Sequence, residues 1–234
     1  VPAQGVVQEE ESPALAFRSK PRASVFVAAG VVKAGEADGF VSMGSTGASI
    51  AAATVVYGTL DGIDRGALGG PVIGYAPNTV IIDLGTNVDT RPGLLVDFAA
   101  LGNVMSKLIY KNENPRIALL SVGSEEGKGN EVIHETHSML KDIDGSIINY
   151  AGLIEGFQIF ENIVDVVVCD GFVGNIVLKA CESLSKLIGS FLDEELKRNA
   201  LRKTGALLSK GAFKSLKQRI NPEQFGGAPL LGLT

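Results

Sequence analysis

The sequence predicts an α/β fold: a mostly parallel sheet with helices on both faces. Three observations carry this expectation. Short apolar runs rich in valine and isoleucine alternate with longer segments of helical periodicity. Several of those runs are continuously apolar, as strands covered on both faces are. Glycine-rich turns sit where a run gives way to the next helix.

The elements follow in chain order. Residues 1–12 are polar and acidic, with Glu9, Glu10 and Glu11, and read as a loose lead-in. Residues 24–33 place Val25, Ala28, Ala29 and Val32 at helical spacing. Residues 39–43 read as a short strand, followed by the turn Gly44-Ser45-Thr46-Gly47 and an alanine-rich helix over 48–57. Residues 61–77 are turn-rich. The β-branched run over 79–84 reads as a buried parallel strand ending in the loop 85–89. Pro92 then suits the first turn of a helix reaching residue 110. A strand at 116–122 leads into residues 125–131 (Glu-Glu-Gly-Lys-Gly-Asn-Glu) and a helix over 130–141. Further strands are expected at 146–151 and 164–169. The second runs into residues 169–175 (Cys-Asp-Gly-Phe-Val-Gly-Asn) and a long helix over 172–196. No repeat of fixed period and no clear linker interrupts the chain, so residues 1–234 read as a single α/β domain.

Composition narrows the function classes. Apolar residues make up 45% of the 234, enough for a large core, and 29 glycines separated by apolar runs fit tight turns. The net charge of −5 argues against general nucleic-acid binding. Two cysteines, Cys169 and Cys181, suit a reducing compartment. His134 and His137 share one helix face, a spacing that serves zinc or simple packing, and no third ligand is evident. No stretch reaches about 18 uncharged apolar residues, and no signal peptide is expected. Nucleophile-elbow, dinucleotide and phosphate-loop patterns are absent.

The glycine loops are the chemical candidates. Beyond the carboxyl end of a parallel strand, the N-terminus of the next helix offers N–H groups and a positive dipole end to an anion. Lys128 lies between two glycines, either as a solvated surface cation or as an anion ligand steadied by Glu125, Glu126 and Glu131. Asn130 adds a neutral hydrogen-bonder. Asn175, after Gly174, either caps the long helix or donates to a substrate oxygen. Asn87 and Asp89 either cap the following helix or line the site. Ser45, Thr46 and Gly47 either close a strand and cap a helix or present hydroxyl and amide donors.

Residues 196–219 hold eight basic side chains (Lys197, Arg198, Arg202, Lys203, Lys210, Lys214, Lys217 and Arg219) and no acids. At about 100° per residue, Lys203, Lys210, Lys214 and Lys217 fall in one stripe. Leu201, Leu208, Ala212 and Leu216 fall opposite. Such a protruding amphipathic segment, 196–220, suits an anionic membrane surface, or leucines packed on the domain with lysines turned to an acidic protein.

Together these motifs resemble the phosphate acyltransferase family of bacterial phospholipid synthesis. The resemblance rests on residues 40–48 (Phe-Val-Ser-Met-Gly-Ser-Thr-Gly-Ala), 82–89 (Ile-Asp-Leu-Gly-Thr-Asn-Val-Asp), 125–131, 168–179 and 226–232 (Gly-Gly-Ala-Pro-Leu-Leu-Gly), with support from 13–18 and 63–65. It departs at Ser45, where the family usually has asparagine, and at Thr86, where it usually has alanine. The family's opening strand and glycine/aspartate loop, and its closing strand and helix, are expected to be missing from this chain.

The resemblance implies a phosphotransacetylase/isocitrate-dehydrogenase-like fold in a homodimer, cytoplasmic and peripherally attached to membrane. It implies transfer of a long-chain acyl group from acyl-carrier protein to inorganic phosphate, with no metal or organic cofactor and no nucleic acid. Lys128 and Asn175 would be catalytic, and Ser45, Thr46, Gly47, Asn87, Asn130 and Gly174 would bind phosphate or substrate. Leu201, Leu208, Ala212 and Leu216 would face the membrane. Short-chain acetyl or butyryl transfer from coenzyme A is the alternative in the same chemistry, and a non-catalytic membrane-associated scaffold the alternative outside it.

Overall fold

The computed structural model describes residues 1–8, 10–71, 76, 78–220 and 227–234, with backbone alone at Arg219 and Ile220. Glu9, Val72–Tyr75 and Pro77 of the turn-rich stretch, and Gly226 of the last motif therefore lie outside the described residues. Packing falls into two compact units, Val1–Leu68 with Pro229–Thr234, and Gly69–Ala228.

The first unit is helical. It contains α1 (Pro13–Ser19), α2 (Ser24–Lys33) and α3 (Thr46–Tyr57). Its core combines Phe26 and Ala29 of α2 with Ala48 and Ala52 of α3, all buried. The small alanines let the two helices approach closely, and Phe17 meets Phe26 edge-on with ring centres 5.0 Å apart. The Tyr57 hydroxyl donates to the Ala29 carbonyl at 3.0 Å.

Residues 39–43, expected as a strand, have no regular structure. A strand needs a neighbour for its N–H and C=O groups, and among the described residues of this unit none lies alongside. Val41 and Met43 are consequently exposed. The unit also holds the first two residues of β1 (Ala67–Gly70), which pair antiparallel with β6 (Leu230–Leu231) through Ala67 opposite Leu231.

The second unit is the parallel core. It contains β2 (Val80–Ile82), α4 (Pro92–Ile109), β3 (Arg116–Leu120), α5 (Glu131–Asp142), β4 (Asn149–Ile154), β5 (Val166–Val168), α6 (Gly171–Lys197), α7 (Ala200–Leu208) and α8 (Lys210–Ile220). The strand order is β4-β3-β5-β2-β1. The pairs β4/β3, β3/β5 and β5/β2 are parallel, and only β1 runs against its neighbour, with Gly69 opposite Ile82. Val80, Ile81, Ile82, Val166, Val167 and Val168 are essentially inaccessible, as continuous apolar strands between helical layers must be.

By length and composition α4 is long and apolar enough to cross a bilayer. It instead packs on β2, β3 and β5, with Leu95, Phe98 and Ala99 wholly buried. Gly102 sets the closeness of that packing: a β-carbon there would stand 2.5 Å from Val166 Cγ1.

Strand ends differ from the sequence expectation in physically simple ways. β2 ends at Ile82 because the Asp83 carboxylate collects the next turn's donors. β4 starts three residues later than expected, at Asn149. The Asp144 carboxylate accepts from the Ser146 N–H at 2.8 Å and holds residues 145–147 in a turn.

The basic segment is not one helix. α6 ends at Lys197, Asn199 caps α7 by accepting from the Arg202 N–H at 2.9 Å, and Ser209 separates α7 from α8. A single-helix projection therefore fails. Leu216 lines a cavity of about 1040 Å³ among α6, α7 and α8 together with Lys203, Lys210 and Lys217, rather than lying opposite them. Leu201 and Leu208 are 83% and 84% exposed, and Ala212 is exposed.

Candidate functional site

The parallel strands β3, β5 and β2 are neighbours, so their carboxyl ends lie side by side on one edge of the sheet. The loops 121–130, 169–175 and 83–89 emerge there in that spatial order. This is where an open α/β sheet binds ligands.

Asp83 organises the β2 loop. Its carboxylate is fully buried and accepts from the Thr86 N–H at 3.0 Å, the Thr86 hydroxyl at 2.6 Å and the Asn87 N–H at 2.6 Å. It also accepts from the Asn87 carboxamide at 3.0 Å and the Gly85 N–H at 3.3 Å. Charge-assisted bonds of this kind offset the cost of burying a carboxylate. Asn87 is thus buried and tied to Asp83, and neither it nor Asp89 caps α4, whose N-cap is Arg91.

The β5 loop locks onto this turn. The Gly171 N–H donates to the Asn87 carbonyl at 2.7 Å. Asp170 caps α6 by accepting from the Val173 N–H at 2.7 Å, which removes the capping role for Asn175. Asn175 stands in the first turn of α6 with its side chain exposed, and its Cβ lies 3.4 Å from where a Gly85 β-carbon would be. Gly174 serves close packing rather than phosphate. Its N–H donates within the helix to the Asp170 carbonyl at 3.0 Å, so it is not free for an anion.

Cys169 at the strand end is buried. Burial, reinforced by the nearby Asp170 and Asp83 charges, pushes its thiol well above the usual range. It stays protonated near neutrality and is a poor nucleophile.

In the β3 loop, Gly127 and Gly129 adopt φ of 98° and 105°, which favour glycine. Lys128 sits between them, its N–H donating to the Glu125 carbonyl at 3.1 Å and its side chain exposed. Its stem covers Gly123, where a β-carbon would lie 2.7 Å from Lys128 Cγ. The acids do not steady its ammonium as expected. Glu126 pairs with Lys141 instead, and among the described residues Lys128 makes no ion pair. Asn130 caps α5 by accepting from the Ile133 N–H at 3.0 Å.

Ser45, Thr46 and Gly47 belong to the first unit. Ser45 caps α3, its hydroxyl accepting from the Ala48 N–H at 3.4 Å, while Thr46 and Gly47 are exposed in its first turn. Lys128, Asn130, Asn87, Gly174 and Asn175 belong to the second unit. Of these, the structure brings Asn87, Gly174 and Asn175 together around Asp83.

Two residues of the edge escape a sequence reading. Asp83 interrupts the apolar run 80–84, but so does Asp165 interrupt the run 163–168, so its presence alone does not mark it. Ser121, at the end of β3, has a buried hydroxyl without a hydrogen-bond partner among the described residues, 3.2 Å from a Gly129 β-carbon position. Nothing in the sequence marks it.

His137 has a different task. Its Nδ1 shares a 2.6 Å hydrogen bond with the Tyr150 hydroxyl of β4, and burial, with Lys141 nearby, lowers its pKa. Among the described residues no three His, Cys, Asp or Glu side chains cluster as metal ligands.

The chain matches over residues 1–234 the family model described as fatty acid synthesis protein. It is 44% identical to a phosphate acyltransferase of Geotalea uraniireducens over 99% of its length and 66% of that protein's. It is 42% identical to a phosphate acyltransferase of Aquifex aeolicus over 97% of its length and 66% of that protein's. It thus spans about 66% of the length of these curated relatives. A phosphotransacetylase from Streptococcus pyogenes superposes with a TM-score of 0.53 at 20% identity, covering 70% of this chain and 56% of that one, and shares its α/β fold.

Proposed function

The chain belongs to the fatty acid synthesis protein family, and we propose on that premise that it carries phosphate acyltransferase activity. The acyl group of a long-chain acyl-[acyl-carrier protein] passes to inorganic phosphate, giving acyl phosphate and free carrier protein. The observation that carries this reading is the 42–44% identity to named phosphate acyltransferases over nearly the whole chain.

The residues suit the chemistry. Phosphate is already an anionic nucleophile near neutrality, so no activated serine or cysteine is needed, in keeping with the protonated Cys169. A phosphate oxygen attacks the thioester carbonyl carbon, a tetrahedral oxyanion forms, and the C–S bond breaks with its electron pair leaving on sulfur. The thiolate then takes a proton from solvent. Lys128, on a glycine-flanked turn and without an ion pair among the described residues, holds phosphate and offsets charge in the transition state. Asn175 donates to the developing oxyanion or orients phosphate. Asn87 and Asn130 contribute by holding the loops rather than as free ligands.

The peripheral setting is part of the same proposal. The carrier protein and an anionic membrane surface are the partners of the basic segment, with Leu201 and Leu208 entering the headgroup boundary. The exposed apolar residues of α6, among them Leu184, Ile188 and Phe191, suit a homodimer in the cytoplasm.

The test is purified protein with phosphate and hexadecanoyl-carrier protein, acyl phosphate being trapped with hydroxylamine, and acetyl-coenzyme A in parallel. Hydroxamate from the long-chain thioester is expected. Product from acetyl-coenzyme A alone would assign short-chain transfer, and none from either would leave a scaffold.

A further inference from the structure

Asp83 and Asn175 lie on different elements, at the end of β2 and in the first turn of α6, and two independent tethers join them. One runs through Asn87. Its N–H and carboxamide both donate to Asp83 Oδ2, at 2.6 and 3.0 Å, and its carbonyl accepts from the Gly171 N–H at 2.7 Å. The other is direct packing. Gly174 seats the first turn of α6 on the Asp83 backbone, and the Asn175 stem rests beside Gly85, whose N–H donates to Asp83 Oδ1 at 3.3 Å. Gly85 itself holds φ at 134°, a conformation that L side chains avoid and glycine adopts readily. The Thr86 N–H and hydroxyl both donate to the same carboxylate and tie the turn to it.

We infer that Asp83 is a positioning residue: it fixes the 85–87 turn beneath the first turn of α6 and thereby sets where the Asn175 carboxamide stands. The inference rests on the reading of Asn175 as a ligand of phosphate or the oxyanion. A carboxylate is suited to this task because its two oxygens accept several diverging donors at once, whereas an asparagine in its place turns one acceptor into a donor facing other donors. Misplacement of a catalytic group by about 1 Å costs about 100-fold in rate, so a loosened turn is felt at Asn175 without contact between Asp83 and substrate.

The experiment compares wild type, Asp83→Asn, Asn175→Ala and the double variant. The readouts are thermal midpoint, kcat, KM for phosphate and for the acyl thioester, and phosphate binding followed by ³¹P NMR. Asp83→Asn is expected to lower kcat/KM for phosphate about 10- to 100-fold and to leave KM for the thioester unchanged. The double variant is expected to be no slower than Asn175→Ala, because residues acting as a unit are non-additive. Additive losses, or a folded Asp83→Asn with unchanged constants, would overturn the role.

Thr86→Val covers the case in which Asp83→Asn does not fold. It removes one hydroxyl donor, leaves the carboxylate in place, and is expected to raise KM for phosphate a few-fold; unchanged constants in this variant also overturn the inference. Wild-type protein that takes up no phosphate removes the reading on which Asp83 depends. Wild-type binding that both variants reproduce removes the role of Asp83 alone.

Discussion

The carbonyl oxygen of Asp83 lies 1.8 Å from the position a β-carbon on Gly174 would occupy. No rotamer change relieves such an overlap, because both partners are backbone. The first turn of α6 is therefore pressed against the end of β2 as closely as two chains can meet, and only glycine permits it. Gly174→Ala must push the helix off the strand. Overpacking of this kind costs about 1–3 kcal/mol, sometimes more, and a fall of that size in urea-unfolding free energy is expected. Activity is expected to fall further than stability explains, since the displaced turn carries Asn175. A variant as stable as wild type would show that the contact is soft.

Lys128 and Asn175 are exposed, and neither supports the core. Lys128→Ala and Asn175→Ala should therefore leave the thermal midpoint nearly unchanged, while each lowers kcat by about 10²–10³, the usual cost of removing one preorganised donor. Circular-dichroism melts and acyl-phosphate formation measured on the same samples check both halves. Near-normal turnover by the folded variants would dismiss these roles.

The parts legible in the sequence are those whose signal is local. Val80–Ile82 and Val166–Val168 are apolar throughout because both their faces are covered, and that shows in composition alone. Cap chemistry is local as well, but the sequence offered Asn175 as the cap of the long helix and Asn130 only as a hydrogen-bonder, whereas Asp170 caps α6 and Asn130 caps α5. What depends on distant partners was not legible. Residues 39–43 have strand composition but no neighbouring strand. Glu126 turns to Lys141, fifteen residues away, rather than to Lys128 two residues on. Leu216 and the lysines share a cavity because the chain breaks at Arg198–Asn199 and Ser209, which no helical projection contains. Like Asp165, Asp83 shows in the sequence only as an acid interrupting an apolar run, and its role depends on backbone donors arranged by a positive-φ glycine.

His137 gives a pH dependence whose sign is determined by its surroundings. Its Nδ1 bonds the Tyr150 hydroxyl, its Nε2 is buried without a hydrogen-bond partner among the described residues, Lys141 is a nearby cation with His134 acting in the same direction, and Glu126 is the opposing charge. Burial, Lys141 and His134 favour the neutral ring and lower its pKa from the reference value of 6.5. The unfolded chain therefore binds the proton first as pH falls. The contribution is fully present above pH 6.5 and is lost as pH drops through the window between that value and the lower folded one. Urea midpoints at pH 7.5 and 5.5 should fall more in wild type than in His137→Gln. Equal falls would mean that other groups account for the acid sensitivity.

Leu208 separates attachment from folding. At 84% exposure it contributes little to the core, so Leu208→Glu should change unfolding free energy by no more than about 0.5 kcal/mol. The same substitution places a carboxylate on the apolar side of α7, where it would meet both the hydrocarbon boundary and the negative headgroups. Binding to vesicles containing phosphatidylglycerol should weaken markedly, and Leu201→Glu, one helical face away from the lysine-lined cavity, should add to the loss. Raising salt weakens what the lysines contribute but not the leucines, so flotation at low and high ionic strength divides the two. Undiminished flotation of the Leu201→Glu, Leu208→Glu double variant would take α7 out of the membrane contact and leave the basic residues to an acidic protein partner.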